Sequence, residues 1–267
     1  MSAANGRLRW TERTVRVGDT ELVELEAGQG KPLLVLHEEQ GHPGALRWYD
    51  DLGGSRKLIT PLHPGFGKTA RCDWIANVRD LAAFYAAYVR SQKLEPVDVI
   101  GFSFGGWLAA EMIAMDPGLV RRAVLVAPPG IRPRAGEIFD LFRVTAKKFI
   151  QASVLEPGAT AEFSSLFGGE QTPAQVEAWE DARAEIARLA WAPYLFDASL
   201  PHRLRLVAAA PTLLVWGRQD AIVPVEVCAT YASSLSGSKQ LVLERCGHRP
   251  EIEQRERFVK EVQSFLG

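Results

Sequence analysis

Short apolar runs alternate with longer amphipathic stretches along most of this 267-residue chain. Runs rich in Val, Ile and Leu that end at Gly, Pro or Asp are typical of buried strands. They predict a first hairpin over residues 14–17 and 21–26, followed by parallel strands over residues 32–37, 58–62, 97–102, 122–126, 212–216 and 240–243. Between the fourth and fifth strands, apolar residues recur at steps of three and four from Ile75 to Val89, which predicts a helix packed on one face of the sheet. The predicted fold class is α/β, a doubly wound, mostly parallel eight-stranded sheet with helices on both faces.

The alternation breaks between residues 128 and 206, a segment that is too long for one crossover and has no clear strand pattern. Thr172 followed by Pro173 is typical of a helix start, and residues 141–155 predict a further helix. We therefore expect a helical cap over residues 128–206, inserted into a core domain formed by residues 1–127 and 207–267. The aromatic residues of this segment indicate a small-molecule substrate with an apolar acyl or aromatic group. Weak candidates for the substrate pocket are His37, Trp191 and Phe142.

A serine stands between two glycines, Gly101 and Gly105, where an apolar strand is followed directly by an apolar helix. A turn this sharp strains the backbone of Ser103 and lifts its hydroxyl clear of the sheet, provided that the flanking positions have no side chains. The pattern predicts a nucleophile elbow.

Ser103 needs a base, and the base needs an acid that orients it. Asp220 follows the strand over residues 212–216, and His248 follows the strand over residues 240–243. Since the carboxyl ends of parallel strands meet at one edge of a sheet, these three residues are expected there together, in the chain order Ser, Asp, His.

At this point the chain resembles the α/β-hydrolase superfamily over nearly its whole length. The resemblance rests on the Ser103 elbow, a G-x-x-D-x-x-x-P pattern over residues 217–224, a G-H-x-P pattern over residues 247–250, and an H-P-G-F-G-K-T segment over residues 63–69. It implies that Ser103 is the nucleophile, that His248 is the general base and then acid, and that Asp220 fixes the imidazole tautomer. It also implies that the backbone N–H of Phe104 forms half of an oxyanion hole.

One departure from that family concerns the other half of the hole. Where the family usually has H-G-x after its third strand, this chain has His37 followed by Glu38 and Glu39. We expect the backbone N–H of Glu39, or alternatively that of Glu38, to complete the hole. A carboxylate beside a developing oxyanion would oppose catalysis unless it turns away, is protonated or pairs with an arginine such as Arg218 or Arg249.

Composition and charge indicate which kinds of partner and which cellular compartment to expect. The net charge is −1, and no sustained run of Lys or Arg suggests a nucleic-acid partner. The chain shows neither a signal-peptide pattern nor an uninterrupted apolar stretch long enough for a membrane, so we expect a cytoplasmic protein. Three widely spaced cysteines indicate free thiols, and the His spacing suggests neither a metal site nor a cofactor.

These features predict a serine hydrolase, most simply a carboxylesterase that cleaves a small or medium carboxylic ester or a lactone through an acyl-serine intermediate. One alternative is a carbon–carbon bond hydrolase of ring-fission diketones. Such substrates have anionic ends that need a basic pocket, which Glu38 and Glu39 would disfavour. The other alternative is a receptor that keeps the fold to bind a ligand without hydrolysis, although such a protein would not need all three candidate catalytic residues.

Overall fold

The computed structural model describes residues 7–167 and 169–267. These residues form an eight-stranded sheet in the order β1-β2-β4-β3-β5-β6-β7-β8. The first two strands form an antiparallel hairpin, β2 is antiparallel to β4, and all other neighbours are parallel. The strands are β1 (Thr11–Val17), β2 (Thr20–Gly28), β3 (Lys31–Leu36), β4 (Arg56–Pro61), β5 (Val97–Phe102), β6 (Val120–Val126), β7 (Thr212–Gly217) and β8 (Lys239–Leu243).

Helices cover both faces of this sheet, each over its own apolar core. The helices are α1 (Arg47–Gly53), α2 (Val78–Ser91), α3 (Phe104–Met115), α4 (Ala146–Ala152), α5 (Ala161–Phe167), α6 (Pro173–Ala190), α7 (Leu200–Arg205), α8 (Glu226–Ser234), α9 (Pro250–Glu253) and α10 (Arg255–Leu266). One core packs α2, α3 and α8 against the sheet, and the other packs α1 and α10 against the opposite face. The predicted doubly wound α/β fold is thereby confirmed.

The sheet is most buried where the candidate nucleophile leaves it. Every residue of β5 is buried, and so is every residue of β7. Continuous apolar runs of this kind form central parallel strands because both of their faces are covered by helices. The loops that follow β3, β5, β7 and β8 therefore start from a rigid base at one edge of the sheet.

The segment between β6 and β7 contains α4, α5, α6 and α7. The helix predicted to start after Thr172 is confirmed, since the Thr172 hydroxyl accepts a hydrogen bond from the N–H of Gln175 and Pro173 occupies the first turn. The helix predicted over residues 141–155 is much shorter. Its N-cap is Thr145, whose hydroxyl accepts from the N–H of Lys148, and it ends before Ser153. The residues from Leu141 to Thr145 are not helical. The N–H of Leu141 instead donates to the hydroxyl of Tyr194 at 2.8 Å.

No helix in the described part of the chain is both long and apolar enough to cross a lipid bilayer. The three cysteines, Cys72, Cys228 and Cys246, are buried and form no disulfide.

Candidate active site

Ser103 sits at a strained turn between β5 and α3. Its φ of +45° and ψ of −114° lie outside the regions that side chains ordinarily favour. The turn is possible because Gly101 and Gly105 have no side chains: a Cβ on Gly101 would overlap the carbonyl of Gly105, and one on Gly105 would overlap that of Leu36. The N–H of Ser103 donates to the carbonyl of Val126 at 2.9 Å, which ties the elbow to β6.

His248 and Asp220 form a buried pair on the loops after β8 and β7. The Nδ1 atom of His248 lies 2.7 Å from Oδ2 of Asp220, and both side chains are almost fully buried. The other carboxylate oxygen of Asp220 accepts the N–H groups of Ile222 and Val223 at 2.8 and 2.9 Å. Because both carboxylate oxygens of Asp220 are hydrogen-bonded, its position is fixed. It therefore fixes the imidazole with Nε2 on the side away from the carboxylate. That Nε2 atom is buried and has no hydrogen-bond partner within the described residues.

Neighbouring charges tune the imidazole of His248. Burial opposes a charge on the ring, but the charge and hydrogen bond of Asp220, together with the charge of Glu39, outweigh burial and raise the pKa of His248. A base with a raised pKa takes up the nucleophile's proton readily and holds it for the leaving group.

The backbone around His248 is fastened to α4 and to the Asp220 loop. The N–H of His248 donates to the carbonyl of Ser153 at 2.8 Å. The Gln219 N–H donates to the carbonyl of Cys246, and the Gln219 side chain accepts the N–H of Cys246 at 3.1 Å. These bonds fix the positions of the two loops relative to each other. They thereby fix the geometry of the His248–Asp220 pair.

Glu38 turns away from the expected hole and pairs with Arg249. Arg249 Nη2 lies 2.6 Å from Glu38 Oε1, and both side chains are buried. The alternative partner, Arg218, instead pairs with Glu244 at the surface. Burial raises the pKa of the Glu38 carboxyl, while the charge of Arg249 opposes that rise. The Glu38 charge is therefore compensated within the protein.

Arg249 connects the base to two helices of the segment between β6 and β7. Its Nε donates to the hydroxyl of Ser153 at 2.7 Å, and its guanidinium stands 5.1 Å from the ring centre of Phe167. A further acid, Glu251, lies 3.9 Å from Nη1 of Arg249, and burial raises the pKa of Glu251 to about 8. Beside this cluster lies a cavity of about 10 Å³, a volume near that of a single water position.

The side chain of Glu39 lies at the N-terminus of α3, beside the backbone donor expected in the oxyanion hole. Its Oε2 atom accepts a long hydrogen bond of 3.5 Å from the N–H of Phe104, the donor expected to stabilise an oxyanion. Glu39 is 3 % exposed, and its Oε1 atom has no hydrogen-bond partner among the described residues. The sequence predicted the backbone N–H of Glu39 at the hole. The structure in addition places the Glu39 carboxylate next to the N–H of Phe104.

His37 and His63 brace the loop that positions Glu38 and Glu39. The Nδ1–H of His37 donates to the carbonyl of Glu38 at 2.8 Å, and its Nε2 accepts the N–H of His63 at 3.0 Å. The two ring centres are 3.7 Å apart, and the ring planes are tilted by 32°. Burial lowers the pKa of His63 to about 3 and holds the pKa of His37 well below its usual value. The expectation that His37 lines the substrate pocket stays a prediction; in the structure both of its nitrogens bond backbone groups, and the residue lines the cavity of about 10 Å³.

Phe142 and Trp191 form an aromatic group with Tyr194. The Phe142 ring lies 5.0 Å from that of Trp191 and 5.8 Å from that of Tyr194. Burial chiefly raises the pKa of Tyr194, and the charges of Asp140 and Glu39 add to the rise. Trp191 is 57 % exposed, so it lies at the outer side of the group.

A larger cavity, of about 370 Å³, lies beside α2, α3 and α6. Its lining includes Trp107, Glu111 and Asp197 but none of the three candidate catalytic residues. Two of its acidic groups, Glu111 and Asp197, are paired with Arg203. This cavity is therefore separate from the group formed by Asp220 and His248.

Within residues 7–167 and 169–267, no group of three or more His, Cys, Asp or Glu side chains is arranged to hold a metal ion. The residues that sequence reasoning missed are Ser153, Glu251 and the side chain of Glu39, and it treated Arg249 only as one of two arginines that could pair with Glu38. A buried Arg directly after His248 could have been identified from the G-H-R-P motif as an ion-pair partner, but its contacts to α4 and α5 depend on the tertiary fold.

Comparison with known proteins identifies the family of the chain. Residues 33–261 match the model of the alpha/beta hydrolase family. A 2-hydroxymuconate semialdehyde hydrolase of Pseudomonas sp. strain CF600 is 29 % identical over 90 % of this chain and 88 % of its own length. A pimeloyl-[acyl-carrier protein] methyl ester esterase of Aeromonas salmonicida strain A449 is 27 % identical over 90 % of this chain and 97 % of its own.

Among solved structures, the 2-hydroxy-6-oxo-6-phenylhexa-2,4-dienoate hydrolase of Rhodococcus sp. strain RHA1 superposes with a TM-score of 0.78. It covers 97 % of this chain and 99 % of its own at 18 % identity, which supports the fold. The family match spans most of the chain and includes the strands and loops that hold Ser103, Asp220 and His248. The chain belongs to the alpha/beta hydrolase family.

Proposed function

We propose that the protein is a serine hydrolase that cleaves the carbon–carbon bond next to a ketone in a ring-fission diketone, with Ser103 as nucleophile, His248 as base and acid, and Asp220 as its orienting acid. The observation that supports it most is the buried His248–Asp220 pair, whose Nε2 has no partner within the described residues, on loops at the same sheet edge as the strained Ser103. The type of bond follows the relatives, several of which are hydrolases of 2-hydroxy-6-oxo dienoates or semialdehydes.

In this mechanism, Ser103 Oγ attacks the ketone carbon while His248 Nε2 takes the hydroxyl proton. The N–H of Phe104 stabilises the oxyanion that forms. The bond to the neighbouring carbon then breaks, and the imidazolium of His248 returns its proton to that carbon. Water hydrolyses the acyl-serine with His248 again as base, so the products are a carboxylic acid and a compound with a new C–H bond.

The charge objection to anionic ring-fission substrates is weaker in the structure than in the sequence. Glu38 is compensated by Arg249, so only Glu39 adds an uncompensated carboxylate next to the hole. The raised pKa of His248 also favours this reaction, because protonating a carbon leaving group requires an imidazolium that keeps its proton until the bond breaks.

We further propose that residues 128–206 act as the cap. Ser153 and Phe167 of this segment contact Arg249, the residue directly after His248. A cap in this position excludes water and presents the aromatic group of Phe142, Trp191 and Tyr194 to an apolar part of the substrate.

Hydrolysis of a carboxylic ester or lactone is the second candidate function. The Glu39 carboxylate beside the Phe104 N–H favours a neutral substrate over an anionic oxo acid, and one relative is a methyl ester esterase. Both candidates use the same three residues and differ in the leaving group.

The experiment that separates them compares turnover of a coloured 2-hydroxy-6-oxo dienoate with turnover of p-nitrophenyl butyrate and of a lactone by the same preparation. We expect kcat/KM for the dienoate to exceed that for the ester by about tenfold or more, which corresponds to 1.4 kcal/mol of transition-state stabilisation. The reverse order would replace carbon–carbon cleavage by ester hydrolysis. Activity that survives in Ser103→Ala would contradict both functions, and absence of any turnover with an unreactive Ser103 would favour a receptor.

A further inference from the structure

The Glu39 carboxylate is a buried charge that the proposed mechanism does not use. It lies at the N-terminus of α3 with Oε2 3.5 Å from the Phe104 N–H, and it is 3 % exposed. A carboxylate oxygen at this donor takes the place that a substrate oxyanion would take. The same N–H cannot stabilise both at full strength, so Glu39 must either leave the hole or be compensated when substrate binds.

The surroundings of Glu39 show what kind of group could compensate it. Its Oε1 atom is buried and has no partner within the described residues. The buried cation Arg249, whose pKa the charge of Glu39 helps to raise, is already paired with Glu38 at 2.6 Å. Asp220 bonds His248 directly, and the charge of Glu39 adds to that of Asp220 in raising the pKa of His248. An unpartnered buried acceptor in such a site is costly until a hydrogen-bond donor reaches it.

We propose, on the basis of the serine-hydrolase function above, that Glu39 is a specificity-determining residue: among substrates in which the same type of bond is cleaved, it favours those that have a hydrogen-bond donor, a protonated amine or a hydroxyl, on the carbon next to the attacked carbonyl. When the substrate's donor binds Oε1 of Glu39, the carboxylate moves away from the Phe104 N–H. That N–H is then free to stabilise the oxyanion. A substrate with an alkyl group at the same position leaves the Glu39 charge in the hole and reacts more slowly than its analogue with the hydrogen-bond donor. A protonated amine should raise the reaction rate more than a hydroxyl does, because the uncompensated charge of Glu39 is negative.

The test uses three diphenyl phosphonates that differ only in the group on phosphorus: aminomethyl, hydroxymethyl and ethyl. The Ser103 hydroxyl attacks phosphorus, His248 takes its proton, and phenol leaves, so the tetrahedral adduct places a P–O oxygen in the hole. Intact-mass and peptide mass spectrometry give the second-order rate constant of Ser103 modification. This readout is independent of whether the natural leaving group is carbon or oxygen.

We expect the wild-type protein to prefer the aminomethyl over the ethyl reagent. In Glu39→Gln, which keeps the shape and removes the charge, the ratio of the two rate constants should fall by about tenfold or more, because the ethyl reagent gains and the aminomethyl reagent loses. The hydroxymethyl reagent should lie between them in the wild type. Glu244→Gln, which removes a surface carboxylate paired with Arg218, is the matched control and should keep the wild-type ratio.

A ratio that stays within about twofold of wild type in Glu39→Gln would overturn the proposal. Equal acceleration of all three reagents would also overturn it, since Glu39 would then only obstruct the hole. Failure of the proposed function is distinguishable: if Ser103 reacts with none of the three reagents and with no fluorophosphonate, the nucleophile itself is wrong. If it reacts with all at ratios that do not depend on Glu39, the hydrolase function stands and this inference falls.

Discussion

The guanidinium of Arg249 lies 2.6 Å from the carboxylate of Glu38, so two consecutive glutamates have different partners. Glu38 faces the arginine, whereas Glu39 faces the N–H of Phe104. The pair also joins the residue after the candidate base to the loop after β3. Its consequences for stability and for the hole are testable separately.

Removing the Glu38 charge should cost stability much more than activity. In Glu38→Gln the buried Arg249 loses its partner, and we expect the free energy of unfolding to fall by about 3 kcal/mol. Since the Glu38 carboxylate points at Arg249 and not at the hole, kcat at a temperature where the variant is folded should change by less than about tenfold. Denaturant unfolding and steady-state kinetics on the same samples check both values.

The double variant Glu38→Gln with Arg249→Met is the control for that prediction. It removes both charges, so its loss of stability should be smaller than the sum of the two single losses. Additive losses would show that the two side chains do not interact. A rise in kcat well above tenfold in Glu38→Gln would show that its charge does act on the oxyanion.

Asp220→Asn should lower kcat severely, on the order of 10⁴-fold, because an amide cannot hold the imidazole in the tautomer that leaves Nε2 as a base. The protein should still fold, since the amide oxygen can accept the N–H groups of Ile222 and Val223 that now bond to Asp220. Glu244→Gln, on the neighbouring strand end, should stay near wild type because its ion pair with Arg218 is exposed. Activity close to wild type in the Asp220 variant would require another acid.

The pH dependence of kcat/KM should have an acidic limb above the ordinary His value of 6.5, because the pKa of His248 is raised. His248 must be neutral to accept the proton of Ser103, so activity rises with pH through this pKa. Glu39 contributes to the rise, hence Glu39→Gln should move the limb to lower pH. An unshifted limb in that variant, measured on a substrate that does not titrate, would place Glu39 too far from His248 to act on it.

Glu251 should make the protein less stable as the pH rises. Its pKa is about 8 in the folded state against 4.5 for the ordinary group, so between these values the folded state binds more protons than the unfolded state. The free energy of unfolding then falls with pH, by up to about 1.4 kcal/mol per unit. Glu251→Gln should flatten this slope between pH 5 and 8, measured by denaturant unfolding at several pH values. Equal slopes in wild type and variant would contradict the assignment.

Much of the fold follows from the sequence because it depends on local patterns. Continuous apolar runs placed the six parallel strands within a few residues, and Thr172 with Pro173 placed the start of α6. The helix predicted over residues 141–155 was too long because its apolar residues pack without helical backbone before Thr145 caps the chain. Apolar spacing alone does not distinguish those two cases.

Ser103, Asp220 and His248 were predictable because each follows an apolar strand and parallel strands share an edge. The direction of the Glu38 and Glu39 side chains was not predictable. It depends on a loop braced by His37 and His63 and on Arg249, which is 211 positions from Glu38. The sequence could show that two carboxylates stand near the hole, but only the tertiary structure shows which one is paired.

The central claim, that Ser103 is the nucleophile, is tested most directly by reaction with a fluorophosphonate followed by peptide mass spectrometry. The account predicts a single adduct on the peptide that contains Ser103, loss of hydrolysis in proportion to labelling, and no adduct in Ser103→Ala, whose kcat should be lower by about 10⁴-fold or more. An adduct on another serine, or an unlabelled protein that still hydrolyses its substrate, would contradict it.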